Sequence, residues 1–193
     1  TLRVLPFTLL PPYYTPSIYY RGVLDLQGPG TISSEKKSLV QFRAELQNML
    51  DHGVTNPIVY QPLSSLEEVL KIRDEIGMGN QPLYYLGVQT HDSTALLKGT
   101  LELAAKYNIP EVYFYGIDEA AGEALVAQRD NWIRVREAGG KVFAASWQDG
   151  NFELMGDLQD LHIRHDRLRP HEAAKWHSVG KKIWSYGNPQ TPA

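Results

Sequence analysis

Four apolar runs, 57–60 (PIVY), 82–88 (PLYYLGV), 111–117 (EVYFYGI) and 141–147 (KVFAASW), begin about 25 to 30 residues apart, the length of one strand-plus-helix unit. They are rich in aromatic and β-branched residues and lack polar alternation, the pattern of strands buried on both faces. The gaps between them carry helical spacing. Leu39, Phe42, Leu46 and Leu50 share one helix face, with Gly53 as a stop. Ser64 and Ser65 open a second helix bearing Leu66, Val69, Leu70 and Ile76, and Asp92 or Ser93 caps a third bearing Leu96, Leu97, Leu101 and Ala104. A long helix is expected over 120–138, with Leu125, Val126, Trp132 and Ile133 inward and Gly139-Gly140 ending it. The segment 17–24 (SIYYRGVL) adds a strand in front, 160–163 a weak sixth strand, and 181–187 (KKIWSYG) a seventh.

Alternating strands and helices imply a parallel sheet with helices outside it. About seven such units in 193 residues predict a (β/α) TIM-type barrel, incomplete or irregular, over 15–193. Residues 1–14, closed by Pro11 and Pro12, read as a linker or as the last strand of a preceding β domain. The alternative is an open doubly wound sheet, but no Gly-x-Gly-x-x-Gly follows any strand. A barrel one unit short leaves unpaired backbone at its wall, which a flanking domain or a partner chain would cover. Starting at Thr1 without a methionine or signal peptide, the chain reads as a mature product or as a piece of a longer protein.

Composition narrows the functions. A net charge of -3 argues against a general nucleic-acid binder, and no apolar run reaches the roughly 18 residues of a membrane span. The absence of cysteine excludes disulfides, thiolate catalysis and cysteine-based zinc sites.

In a barrel of this kind chemistry collects where strands end. Those positions are Tyr60-Gln61, Gln89 to Asp92, Asp118-Glu119, Trp147 to Asp149, and Tyr186 to Asn188. Carboxylates beside tryptophan and tyrosine suit a carbohydrate, because aromatic faces stack on sugar rings while acids move protons and stabilise positive charge. Asp118-Glu119 is the sharpest signal. Its other reading is structural: Asp118 as a helix cap, with Glu119 at the positive end of the helix.

The segment Tyr113-Phe114-Tyr115-Gly116-Ile117-Asp118-Glu119-Ala120 resembles the catalytic strand of family 123 glycoside hydrolases, in which an aromatic strand ends in a paired Asp-Glu on a (β/α) barrel. Lys182 to Gly187 is similar to that family's late Trp-x-Tyr strand. The opening RVLPFTLLPP followed by Ile18-Tyr19-Tyr20 is similar to its passage from a β-sandwich into the barrel. The resemblance implies cleavage of a β-linked N-acetylhexosaminide with retention, assisted by the substrate's own acetamido group. Asp118 would orient the acetamido N–H, and Glu119 would protonate the leaving oxygen and then activate water. It also favours a secreted or periplasmic location. The competing expectation is a non-catalytic carbohydrate-binding barrel, or a domain fragment inactive by itself.

Further substrate-binding candidates are Trp147 as the floor of a sugar subsite and Tyr186 as a donor to the acetamido oxygen. Trp184 faces the same way as Tyr186 by strand parity. His91, beside Asp92, is a candidate for sugar hydroxyls, and Tyr20 for a subsite near the end of the first strand. For Trp147, Trp184 and Tyr186 the packed-core reading stands alongside. Residues 162–182 hold His162, His165, His171 and His177 among six bases, but His162-x-x-His165 lacks the His-Glu-x-x-His frame of a zinc helix. No metal and no cofactor is expected.

Overall fold

A computed structural model describes residues 15–28, 32, 34–86, 93–165 and 169–186. Its centre is a parallel five-stranded sheet of β3 (Leu83–Tyr85), β4 (Val112–Tyr115), β5 (Lys141–Ser146), β6 (Leu161–His165) and β7 (Lys182–Tyr186), hydrogen-bonded in that order. A separate two-stranded parallel sheet pairs β1 (Val23–Leu24) with β2 (Lys36–Lys37). The helices are α1 (Leu39–Asp51), α2 (Leu63–Glu75), α3 (Thr94–Lys106), α4 (Gly122–Val126), α5 (Arg129–Glu137), α6 (Asn151–Met155) and α7 (Pro170–Ser178). Ser38 and Ser93 cap α1 and α3, their hydroxyls accepting from the Gln41 and Leu96 amides.

Strand alternation splits the core in two. Leu83, Tyr85, Val112, Phe114, Val142 and Ala144 point to the helices and bury against Leu66, Val69, Leu97, Trp132 and Val135. Their neighbours Tyr84, Tyr113, Phe143, Ala145, Leu161 and Ile163 form a second cluster on the opposite, concave face, with Tyr115 and Trp184 against it. The sheet curls enough for its outermost strands to touch across the hollow. The Trp184 ring of β7 meets Tyr84 of β3 edge-on at 4.6 Å, and Lys182 donates to the Tyr113 hydroxyl at 3.0 Å. Aromatic pairs of this geometry contribute about 0.5–1.5 kcal/mol each beyond their buried area. At the N-terminal end of the strands, Glu111 accepts from Tyr113 at 2.9 Å and pairs with Lys141 and Lys182.

The seven-unit TIM-type barrel expected from the sequence is not formed. The sheet is a five-stranded half-barrel, and its consecutive order also lacks the reversal of a doubly wound sheet. Two expected strands are reduced by local chemistry. In 57–60 only Val59 bridges to Tyr85: Pro57 has no N–H to give, and Pro62 follows closely. In 17–24 only Val23–Leu24 is a strand, and it pairs with β2. Side chains take over the joins that a ladder would make. Buried Gln61 accepts from the Leu24 amide at 3.0 Å and donates to the Gly22 carbonyl at 2.7 Å. Buried Arg73 donates to Asn56 at 2.8 Å, and Asn56 in turn donates to the Pro82 carbonyl at 2.9 Å. The expected helix over 120–138 is two helices, broken where the Gln128 side chain turns back to the loop after β4. The weak sixth strand is a full one, β6, and no helix among the described residues is long and apolar enough to cross a membrane. The expected domain boundary at 1–14 lies outside the described residues.

Candidate functional site

The chain leaves β4 through a turn in which the amides of Gly116, Ile117 and Glu119 are tied down. The Gly116 N–H donates to the Phe143 carbonyl at 2.8 Å, Ile117 to Gln128 Oε1 at 2.7 Å, and Glu119 to the Ala145 carbonyl at 3.1 Å. The turn thus laps over the end of β5, and Glu119 takes a left-handed backbone with φ of 52°. That conformation costs a residue with a Cβ roughly 1–2 kcal/mol, a cost that glycine avoids and that this chain accepts at a glutamate. Asp118 and Glu119 consequently stand side by side, both exposed, at the C-terminal rim. The helix-cap reading of the pair does not hold. The next helix, α4, begins at Gly122 with Ala121 as N-cap and no side-chain cap bond.

Two tyrosines reach the two carboxylates. Tyr115, the last residue of β4, donates its hydroxyl to Asp118 Oδ1, and its ring packs edge-on against Phe143 at 4.8 Å. Burial first, and then the Asp118 carboxylate, push the Tyr115 phenol well above the usual tyrosine range. Tyr186 reaches the pair from the end of β7. It is 37% exposed, packs on His165 at 5.2 Å, and is raised by burial and then by the charges of Glu119 and Asp118. Tyr19 is also raised by burial and by Asp118, with the Arg21 cation pulling the other way. The Arg21 guanidinium lies over the Tyr60 ring at 5.8 Å. The rim thus offers two acids beside phenols that stay neutral hydrogen-bond donors at physiological pH.

Trp147 stands just past β5, 53% exposed, two residues beyond the carbonyl that anchors Glu119. Trp184 shares the concave face with Tyr186, as parity predicts, but sits below the rim, packed on Tyr84. Tyr20 is not brought to the pair. Its hydroxyl donates to Glu45 at 2.8 Å and its ring meets Phe42 at 5.7 Å, on the α1 side. Its neighbour Tyr19 is exposed, and the Asp118 charge acts on it. His91 lies outside the described residues. His162 faces the helices, stacked on Trp176, while His165 faces Tyr186, so the two rings do not converge. Among the described residues no group of three or more His, Asp or Glu side chains is arranged to hold a metal.

No known family model and no curated protein matches this chain.

Sequence reasoning passed over Tyr115 as a partner of the acids. For Tyr115 the signal was present: a tyrosine ending an apolar strand, three residues before an aspartate, is within reach of it across a tight turn. The turn also yields a test of its anchoring. A Cβ on Gly116 would lie 2.8 Å from Trp132 Cζ2 and 3.0 Å from Gln128 Oε1. Trp132 is fully buried and has little room to yield. Gly116→Ala is expected to destabilise by about 2 kcal/mol through overpacking. It should lower the melting temperature by roughly 4–8 °C. An unchanged melt would mean that the turn is not held as described.

Proposed function

We propose that this chain is a glycoside hydrolase half-barrel acting on a β-linked N-acetylhexosaminide by substrate-assisted, retaining catalysis. One observation carries the reading. Two adjacent carboxylates, free of any helix-capping duty, project from a strained turn at the strand-end rim, beside the hydroxyls of Tyr115 and Tyr186. The likeness of Tyr113 to Ala120 to the family 123 catalytic strand supports the same assignment.

The acetamido oxygen of the substrate attacks the anomeric carbon as the glycosidic C–O bond breaks, and Glu119 delivers a proton to the departing oxygen. Asp118 accepts the acetamido N–H and balances the positive charge of the oxazolinium ion. Glu119, now a carboxylate, takes a proton from water as that water attacks the anomeric carbon. The ring opens, and the sugar is released with its configuration retained. This route explains why neighbouring acids suffice, where a protein nucleophile would stand about 5–5.5 Å from the acid across the bond. Tyr186 is placed to donate to the acetamido oxygen, and exposed Trp147 to stack on the sugar. Trp184 supports the rim from beneath.

The filled hollow favours a second reading, carbohydrate binding without hydrolysis. Among the described residues, Tyr84, Tyr113, Phe143 and Trp184 fill the hollow beneath the acids. Nitrophenyl β-glycosides of N-acetylglucosamine, N-acetylgalactosamine, glucose and galactose separate the two. Release from the acetamido sugars alone is the expected result. Equal release from the plain sugars would remove the role given to Asp118. Glycan binding with no release from any sugar would leave the second reading.

A further inference from the structure

We propose that Tyr115 is a positioning residue for the acid pair, holding one oxygen of Asp118 so that the other faces the substrate's acetamido N–H. This rests on the hydrolase reading and deepens it.

The three backbone anchors of the turn set where the Asp118 backbone lies, but they do not set the direction of its carboxylate. An exposed aspartate rotates freely about two side-chain bonds. Among the described residues, the side-chain donor that Asp118 accepts is the Tyr115 hydroxyl, on Oδ1. That phenol is itself stationary. Tyr115 lies opposite Phe143 in the ladder, its ring is packed edge-on against the Phe143 ring, and the Gly116 amide beside it is bonded to the Phe143 carbonyl. A fixed donor on a carboxylate makes a charge-assisted bond, which selects one rotamer and leaves the second oxygen with its lone pairs unspent. The donor persists across the working pH range, because burial and the Asp118 charge both oppose loss of the phenol proton.

The arrangement predicts that Tyr115 acts only through Asp118. Tyr115→Phe keeps the ring and removes the donor. On a nitrophenyl N-acetyl-β-hexosaminide it should lower kcat by about 10- to 100-fold, the scale of a small misplacement of a reacting group, with KM within about threefold. The same variant should bind a thiazoline analogue of the oxazolinium ion more weakly, by calorimetry, by a similar factor. In an Asp118→Ala background, adding Tyr115→Phe should change neither kcat nor thiazoline affinity further. Melting temperatures verify that every variant is folded.

A Tyr115→Phe chain that matches an active wild type in both readouts overturns this proposal alone. So does a loss that recurs in full without Asp118. A wild type that neither releases nitrophenol nor binds the thiazoline overturns the hydrolase reading, and this one with it.

Discussion

Glu119→Gln is expected to lower turnover of a natural β-linked N-acetylhexosaminide by about 10²- to 10⁴-fold, the range that general acid catalysis supplies. The loss should be smaller on a nitrophenyl glycoside, whose leaving group departs with little protonation. Asp118→Asn should damage both substrates alike, because closing the oxazolinium ring is impaired whatever leaves. Neither substitution should move the melting temperature by more than a few degrees. Both side chains are exposed, neither caps a helix, and the turn is held by backbone amides and the Gln128 side chain rather than by the acids. The conservative amides also leave the left-handed backbone at position 119 no more strained than it is with glutamate. Steady-state rates on the two substrates, with melts alongside, give the pattern. Equal, mild losses in both variants on both substrates would mean that the pair does not handle protons and ring closure separately, and the mechanism would fall.

The pair was legible in the sequence because a strand that ends in charge marks its own rim. Period-two alternation likewise placed Trp184 and Tyr186 on one face. Tyr20 does not reach the pair, because Glu45 on α1, 25 residues further along the chain, captures its hydroxyl. The barrel was over-read for a related reason. An apolar run such as PIVY has strand composition, yet a strand exists only where a neighbour offers a ladder, and Pro57 withholds the first donor. The contacts that replace those ladders, from Gln61, Asn56 and Arg73, are side-chain bonds between positions 17 to 39 residues apart. No local pattern encodes such bonds. The break between α4 and α5 has the same origin. Residues 120–138 have helical spacing throughout, but the Gln128 carboxamide is spent on the Ile117 amide, eleven residues earlier.

Acid should destabilise the fold well above the range in which carboxylates titrate, and His162 is the reason. It lies on the helix-facing side of β6, 3% exposed, with its ring stacked on Trp176 at 4.9 Å and 3°. Its Nδ1 is 3.3 Å from Gln159 Nε2, and Arg164 lies two residues along the same face. Burial, with the Arg164 charge adding to it, lowers its pKa to about 4. The unfolded chain takes up a proton on this residue near pH 6.5, whereas the folded chain resists until near pH 4. Between those values the unfolded state binds more protons, so stability is complete above about pH 6.5 and falls toward pH 4, by about 3 kcal/mol in all. Glu45, Glu111, Glu153 and Asp157 are held below their usual range, so what they contribute is lost at lower pH still. The comparison is between melting temperatures at pH 7 and pH 4.5 for the wild type and for His162→Phe, which keeps an aromatic face on Trp176 and cannot titrate. Gln159 Nε2 retains the Ala144 and Leu161 carbonyls at 2.9 and 3.0 Å, so losing the longer contact to the ring costs it little. The wild type is expected to lose roughly 5–10 °C more than the variant between the two pH values. Equal losses would show that His162 is protonated as readily in the fold as outside it, and that the stacked, buried ring does not exclude the charge.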